Sequence, residues 1–159
     1  MTIQISIRNP QDDEMIAILQ THLAFCMAST PIEHVHALDV SKLTTPDVTV
    51  FGAQLNGDLV GVGALRILES DHAELKSMHT ISNARGKGVG RALVEHISNF
   101  AIDKGLSRLS LETGTGENFR AARSLYTSMG FEPCEAFSDY KNTENNICMT
   151  KLLFRSTCG

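Results

Sequence analysis

The stretch NARGKGVGRALVEH, from Asn83 to His96, places three glycines and three basic residues directly before a helical pattern. The N-terminus of a helix exposes unpaired N–H groups and a partial positive charge. Glycines in the preceding turn lack the Cβ atoms that would keep an anion away, and they tolerate positive φ angles. Arg85, Lys87 and Arg91 add full positive charges. The stretch therefore predicts a site for a phosphate or pyrophosphate group.

Two familiar phosphate-binding motifs fit this turn poorly. A P-loop requires a Ser or Thr after its GxxxxGK run, whereas Gly88 follows Lys87 here. A dinucleotide-binding turn reads GxGxxG and follows an early strand. The glycines here run GxGxG, and several strand patterns precede them. A solvated turn whose glycines only reverse the chain remains the alternative.

Length and composition indicate a single domain that covers residues 1–159. The net charge of −4 and the pI of about 5.8 argue against duplex nucleic acid as a partner. The N-terminus has no apolar signal-peptide region, and no apolar run approaches the ~20 residues that cross a bilayer. We therefore expect a cytoplasmic protein with no membrane partner. Its four cysteines form no CxxC pair, so we expect reduced thiols at Cys26, Cys134, Cys148 and Cys158.

The segments before the turn alternate between strand and helix patterns. Residues 2–9 alternate apolar and polar side chains and predict a strand. Residues 12–29 predict a helix whose apolar stripe consists of Met15, Ile18, Leu19, Leu23 and Met27. Residues 36–43 predict one or two helical turns. Residues 48–68 predict a hairpin around Asn56-Gly57.

Residues 72–80, HAELKSMHT, predict a strand with two distinct faces. We expect Ala73, Leu75, Ser77 and His79 on one face and Glu74, Lys76 and Met78 on the other. Beyond the glycine-rich turn the pattern predicts, in order, a helix over 89–105, a strand over 106–113, a helix over 117–130 and strands over 131–137 and 145–154. The hairpin requires antiparallel pairing, so we predict an α/β fold with a mixed sheet.

Three motifs in order resemble the GNAT superfamily of acyl-CoA-dependent N-acetyltransferases. Arg85, Gly88 and Gly90 match its motif A, [Q/R]xxGx[G/A]. The upstream segment AELKSMHT is similar to the fourth strand of the family, and the downstream segment AARSLYTSMGF resembles motif B, AxxLYxxxGF. Motif B is matched by Ala122, Leu125, Tyr126, Gly130 and Phe131. The resemblance covers about the last two thirds of the chain.

The resemblance implies a mixed, mostly antiparallel twisted sheet with helices on both faces, and acetyl-CoA as the acyl donor. Two central parallel strands would separate into a V that takes the cofactor. The pantetheine arm would pair with the backbone of Met78, His79 and Thr80. Beside Arg85, the backbone amides that would hold the pyrophosphate belong to Gly86, Lys87, Gly88, Val89, Gly90 and Arg91.

Motif B departs from the family at one position. Many members have Asn seven residues before the Tyr, and that position is Phe119 here. Asn118 lies one residue earlier, and we carry the cofactor contact over to it. The alternative role of Asn118 is to cap its helix.

Acetyl transfer to an amine needs a base, because deprotonating an alkyl ammonium group at pH 7 costs about 4 kcal/mol. Glu74 is the first candidate, Glu112 the second and His79 the third. The alternative for Glu74 is a surface pair with Lys76. In the family the Tyr of motif B protonates the leaving thiolate, which assigns that role to Tyr126; the alternative is a core aromatic residue. The N–H of Met78 is the natural donor to an oxyanion.

Resemblance to a subgroup of small bacterial acetyltransferases adds His36, Asp39 and Tyr140 as acceptor-pocket candidates, together with Glu112. The HVH segment at His34 predicts no metal site, since no third ligand has fitting spacing. No base partner is evident for Cys134, so an acyl-cysteine is not expected.

We therefore predict transfer of an acetyl group from acetyl-CoA to an amine of a small molecule or peptide, by direct attack in a ternary complex. Two alternatives stay open: a non-catalytic acyl-CoA-binding module and a nucleotide-phosphate binder. A homodimer through an edge strand or the C-terminal strands is compatible with the family.

Overall fold

The computed structural model describes residues 2–28, 40–69 and 71–154. Within these residues, seven strands form one sheet with the order β1-β2-β3-β4-β5-β7-β6. The strands are β1 (Ile3–Ile7), β2 (Val48–Leu55), β3 (Asp58–Ile67), β4 (His72–Thr80), β5 (Arg108–Gly114), β6 (Glu132–Cys134) and β7 (Asn146–Leu152). The helices are α1 (Asp13–Met27), α2 (Val89–Asp103) and α3 (Arg120–Ser128), and short 3₁₀ turns cover Val40–Leu43, Ser82–Ala84 and Glu117–Phe119.

The sheet is mixed and mostly antiparallel, as predicted. The β2–β3 hairpin turns at Asn56 and Gly57, which both have positive φ angles (53° and 91°). β4 and β5 are the parallel pair, and their register ends after three residues of each strand, from His72↔Arg108 to Glu74↔Ser110. Beyond that point the two strands separate, which confirms the predicted V.

Helices cover both faces of the sheet. α2 places Leu93 and Ile97 in one buried cluster with Leu75 of β4 and Tyr126 of α3. α1 contributes Met15, Ile18 and Leu19 to a second cluster, which contains Val62 and Ala64 of β3. The alternation along β3 sends neighbouring side chains to opposite clusters. The predicted α/β fold with helices on both faces is confirmed.

The predicted apolar stripe of α1 is correct at its first positions and wrong at Met27. Met15, Ile18 and Leu19 are buried and Leu23 is half-buried, but Met27 is 45% exposed. Counting 3.6 residues per turn from Met15 leads to positions 22 and 26. The helix accordingly turns His22 and Cys26 inward, where both lie against the sheet in half-buried positions.

The predicted faces of β4 are wrong beyond Lys76. The register with β3 passes from Ala64↔Lys76 to Val62↔His79, so β4 carries one extra residue, and Ser77 has a φ of 57°. Such a bulge reverses the faces of the residues that follow it. Met78 therefore packs towards α2, where a Cβ on Gly63 would lie 2.6 Å from its Sδ.

The bulge also moves His79, which now shares the face of Glu74 and Lys76. Its ring contacts the rings of His22 and Phe25 on α1. This repositioning brings a histidine of the central strand to the site described next.

Candidate active site

A cavity of about 480 Å³ runs through the V between β4 and β5. Its walls come from α1, β4, the glycine-rich turn, β5, α3 and the loop before β7. Among the described residues, those predicted to function that line it are Glu74, Met78, His79, Thr80, Arg85, Gly86, Gly88, Val89, Gly90, Arg91, Glu112, Asn118, Tyr126 and Tyr140. Lys87 lies in the same turn but is not part of the wall. His34, His36 and Asp39 lie outside the described residues.

The glycine-rich turn has the geometry of an anion site. Gly86 and Gly88 have φ angles of 79° and 86°, and a Cβ built on either would meet no atom within 4 Å. Gly88 is the N-cap of α2, and no side chain caps this helix end. The N-terminal amides of α2 are therefore left for a ligand.

Two arginines are held beside this turn. The Nε of Arg85 donates a hydrogen bond to the Thr80 carbonyl oxygen at 3.1 Å, and its guanidinium carbon lies 5.1 Å from the centre of the Phe25 ring. Nη2 of Arg91 donates to Ser128 Oγ at 2.9 Å. Both contacts orient a positive charge at the mouth of the cavity.

Glu74 lies at the fork of the two parallel strands and is only 1% exposed. Its Oε2 accepts hydrogen bonds from Lys76 Nζ at 3.3 Å and from the hydroxyl of Tyr140. Its Oε1 is buried and has no hydrogen-bond partner among the described residues. The Glu74–Lys76 pair is therefore buried, which excludes the alternative of a pair on the surface.

Glu112 stands on β5, across the cavity from Glu74. It is half-buried, and its Oε2 accepts a hydrogen bond from Asn146 Nδ2 at 3.1 Å. Tyr140 reaches the same region from the loop before β7, where burial and then the negative charge of Glu74 raise the pKa of its hydroxyl above its ordinary range. The cavity thus brings together three of the predicted polar residues from separate parts of the chain.

Tyr126 is 5% exposed on α3 and contacts the Phe131 ring edge-to-face. Burial, followed by the neighbouring Cys26, raises the pKa of its hydroxyl above the ordinary value. It therefore keeps its proton at neutral pH, as a proton donor must.

Asn118 does not cap a helix. Neither the 3₁₀ turn at Glu117–Phe119 nor α3 has a side-chain cap, and Asn118 Nδ2 donates instead to the Phe25 carbonyl oxygen at 3.2 Å. This bond ties the end of α1 to the turn before α3, across the cavity.

The cavity residues to which the sequence analysis assigned no function include His22, Phe25, Cys26 and Phe119. The three on α1 follow from a stripe counted at 3.6 residues per turn instead of one drawn through apolar residues only. Phe119 packs directly over Gly114, where a Cβ would overlap its ring. In the sequence, the signal for this packing was the glycine at position 114.

The thiols of Cys26, Cys134 and Cys148 are not activated, and Cys158 lies outside the described residues. Burial raises the pKa of Cys26 to about 11 and that of Cys148 to about 11, and the pKa of Cys134 is also raised, mainly by burial. These shifts favour the thiol over the nucleophilic thiolate. Within residues 2–28, 40–69 and 71–154, no cluster of three His, Cys, Asp or Glu side chains forms a metal site.

This arrangement joins an anion site at a helix N-terminus to a buried carboxylate through one cleft. Residues 15–131 match the acetyltransferase (GNAT) family. The chain belongs to that family. It is an N-acyltransferase, and acetyl-CoA is its acyl donor.

Several proteins resemble this acetyltransferase along most of its length. It is 38% identical to the uncharacterized N-acetyltransferase YsnE of Bacillus subtilis, over 95% of this chain and 100% of that protein. It is 43% identical to the uncharacterized N-acetyltransferase YedL of Escherichia coli, over 79% of each chain. A crystal structure of a proposed acyl-CoA N-acyltransferase from Klebsiella pneumoniae superposes with a TM-score of 0.83 at 28% identity, covering 96% of this chain and 99% of that one.

No helix of the acetyltransferase within the described residues has the length and apolar character needed to span a membrane.

Proposed function

We propose that this acetyltransferase acetylates a primary amine of a small molecule or peptide by direct attack, with Glu74 as the general base and Tyr126 as the general acid. One observation carries the proposal: a buried carboxylate oxygen, Glu74 Oε1, stands in the cavity wall without a hydrogen-bond partner.

The two oxygens of Glu74 have different environments. Oε2 accepts hydrogen bonds from both Lys76 and Tyr140, so the carboxylate is held in one orientation. Leaving a buried acceptor unsatisfied costs about 1–3 kcal/mol, and more when the group is charged. The N–H of an ammonium group satisfies Oε1 and places a removable proton against it. This supports Glu74 ahead of Glu112, which already accepts from Asn146.

The residues around the turn fit the acyl donor. Open space beside Gly86 and Gly88 lets the amides of residues 86–91 approach a pyrophosphate, and Arg85 and Arg91 supply charge. The backbone of Met78 to Thr80 is assigned to the pantetheine arm, and Asn118 to a contact beside it. When bound, acetyl-CoA supplies a thioester carbonyl that an amine can attack.

Three groups of the chain then carry out the proton transfers and stabilise the acyl oxygen. Glu74 Oε1 takes a proton from the ammonium group of the acceptor. Because of the bulge at Ser77, Ser77 and Met78 are not paired with β3. We assign the N–H of Met78 as the hydrogen-bond donor to the acyl oxygen. The Tyr126 hydroxyl gives its proton to the departing sulfur as the C–S bond breaks, and the second proton that the attacking nitrogen loses restores the tyrosine. Proton transfers of this kind each contribute roughly 10²–10⁴-fold to a rate.

The acceptor end of the cavity is assigned to Glu112 and Tyr140, with His36 and Asp39 as further candidates. Because Lys76 already offsets the charge of Glu74, Glu112 adds a negative charge that favours a cationic amine. A cytoplasmic location and a homodimer through an edge strand or the C-terminal strands stay predictions.

The test is release of free thiol from acetyl-CoA, followed with a colorimetric thiol reagent across a panel of amines. We expect at least one amine to accelerate release, with initial-rate lines that intersect when both substrates are varied, as direct attack requires. Parallel lines would indicate an acyl-enzyme. If acetyl-CoA binds and no amine accelerates release, the chain is a non-catalytic binding module. Thermal stabilisation by ATP or NAD but not by coenzyme A would favour a nucleotide-phosphate binder.

A further inference from the structure

Two histidines from distant parts of the chain meet at the cavity wall. Nδ1 of His22 on α1 lies 3.2 Å from Nδ1 of His79 on β4, and the rings pack edge-to-face with centroids 5.1 Å apart. The Phe25 ring also packs edge-to-face against the His79 ring, with centroids 5.4 Å apart. His79 is 7% exposed, so its ring is buried beside these two aromatic neighbours.

The short Nδ1–Nδ1 contact restricts where the hydrogens are. Each neutral imidazole carries one N–H, so one ring donates between the two Nδ1 atoms and the other accepts. If His79 donates, its Nε2 is bare and the hydrogen of His22 is on Nε2, 3.6 Å from Cys26 Sγ. If His22 donates, its bare Nε2 can accept the Cys26 S–H, and His79 carries its hydrogen on Nε2. Only the first arrangement leaves His79 Nε2 bare and able to accept a hydrogen bond while both rings stay uncharged.

We infer that His79 Nε2 contacts the amine of the acceptor and that His22 is a positioning residue, which fixes the His79 ring through the Nδ1–Nδ1 hydrogen bond. The inference rests on the proposed function. Glu74 and His79 line the same cavity, and no described group is hydrogen-bonded to His79 Nε2. An uncharged ring that accepts from the ammonium group adds a hydrogen bond without the repulsion that an imidazolium would impose.

The surroundings keep the pair neutral. Burial, followed by His79, lowers the pKa of His22 to about 3. Burial, followed by the positive charge of Arg85, lowers the pKa of His79 to about 4. The other charged groups of the wall are Glu74 and Lys76, which form an ion pair on β4, Arg91 on α2, and Glu112 on β5, whose negative charge helps to raise the pKa of Cys26.

The experiment compares His22→Phe with His22→Asn. Phe keeps the aromatic packing on His79 but has no nitrogen, whereas the Asn amide places a polar atom near the position of the former Nδ1. The first readout is imidazole ¹⁵N NMR of His79 in the full chain without substrates, from pH 4 to 8. The second is the KM for the amine and for acetyl-CoA at pH 7. His96→Phe, the same substitution at an exposed histidine of α2 outside the cavity, is the matched control.

In the wild type we expect one protonated and one bare nitrogen on each ring throughout neutral pH. His22→Phe should let the tautomers of His79 interconvert and raise the KM for the amine roughly five- to tenfold, the value of one hydrogen bond, with the KM for acetyl-CoA unchanged. His22→Asn should keep the KM for the amine close to the wild-type value. The inference is overturned if wild-type His79 already averages its tautomers, if His22→Phe leaves its ¹⁵N shifts unchanged, or if both KM values rise together. If no amine is acetylated at all, the proposed function fails while the NMR arm still decides the histidine contact.

Discussion

Glu74 of β4 and Ser110 of β5 are the last residues paired between the two parallel strands. A parallel pair that ends inside a sheet leaves backbone groups and side chains on both strands for a ligand. Glu74 stands at that fork, buried and held by Lys76 and Tyr140, so the carboxylate lies where the separation of the strands begins.

Replacing Glu74 with Gln should lower kcat/KM by roughly 10²–10⁴-fold, because the amide keeps the hydrogen-bonding shape but cannot take a proton. The measurement is steady-state acetylation with the best amine of the panel. Glu69→Gln is the matched control, since Glu69 is exposed just before β4 and lies outside the cavity. A Glu74→Gln enzyme within threefold of the wild type would shift the base assignment to Glu112 or His79.

Gly88→Ala should weaken acetyl-CoA binding at least tenfold, whereas Gly57→Ala should not. Both glycines have positive φ (86° and 91°) with open space around the missing Cβ, so the backbone cost of Ala is similar, about 1–2 kcal/mol. Only Gly88 lies at the N-terminus of α2, where the Cβ would stand against the pyrophosphate. Calorimetric titration with acetyl-CoA, paired with thermal unfolding, separates the two effects. Equal losses of affinity in both variants would place the pyrophosphate elsewhere.

Tyr126→Phe should lower kcat by roughly 10²-fold or more with little change in the KM for acetyl-CoA, because the hydroxyl acts on the leaving sulfur. Since burial raises the pKa of Tyr126, the wild-type rate should show no loss from tyrosine ionisation below about pH 10. Rate profiles from pH 6 to 10 check both points. An unchanged kcat in the variant would mean that Tyr126 serves as a core aromatic residue.

Stability should fall on acidification through the buried histidine pair. The folded-state pKa values of His22 and His79, about 3 and about 4, lie below the ordinary value of 6.5. The unfolded chain therefore binds more protons between about pH 4 and 6.5, and the free energy of unfolding decreases as the pH falls through that window. We expect a loss of about 2 to 4 kcal/mol from this pair between pH 7.5 and 5.

Urea unfolding at the two pH values measures the contribution of His22 to this loss, as the difference between wild type and His22→Phe, which should be less sensitive to pH. His96→Gln, an exposed substitution on α2, should retain the wild-type dependence. A His22→Phe variant as sensitive to pH as the wild type would show that the pair is already charged in the folded protein.

The local features of this acetyltransferase could be predicted from its sequence because each depends on neighbouring residues. Asn56-Gly57 selects a tight hairpin turn, and the positive φ of Gly86 and Gly88 requires residues without a Cβ before α2. The 3.6-residue period of α2 and the alternation of β3 likewise express short-range geometry. The motifs that indicated acetyl-CoA are likewise short runs of neighbouring residues.

Tertiary structure alone decided how the site is assembled. The alternation of HAELKSMHT predicts an unbroken strand, but pairing with β3 inserts a bulge at Ser77 and moves His79 to the face of Glu74. The bond from Tyr140 to Glu74 spans 66 residues, and the contact between His22 and His79 spans 57. Contacts of such separation depend on strand register and helix packing, which no short window of sequence contains. The sequence alone therefore specified the anion-binding turn. Only the folded sheet brought Glu74, Tyr140, His22 and His79 into one cavity.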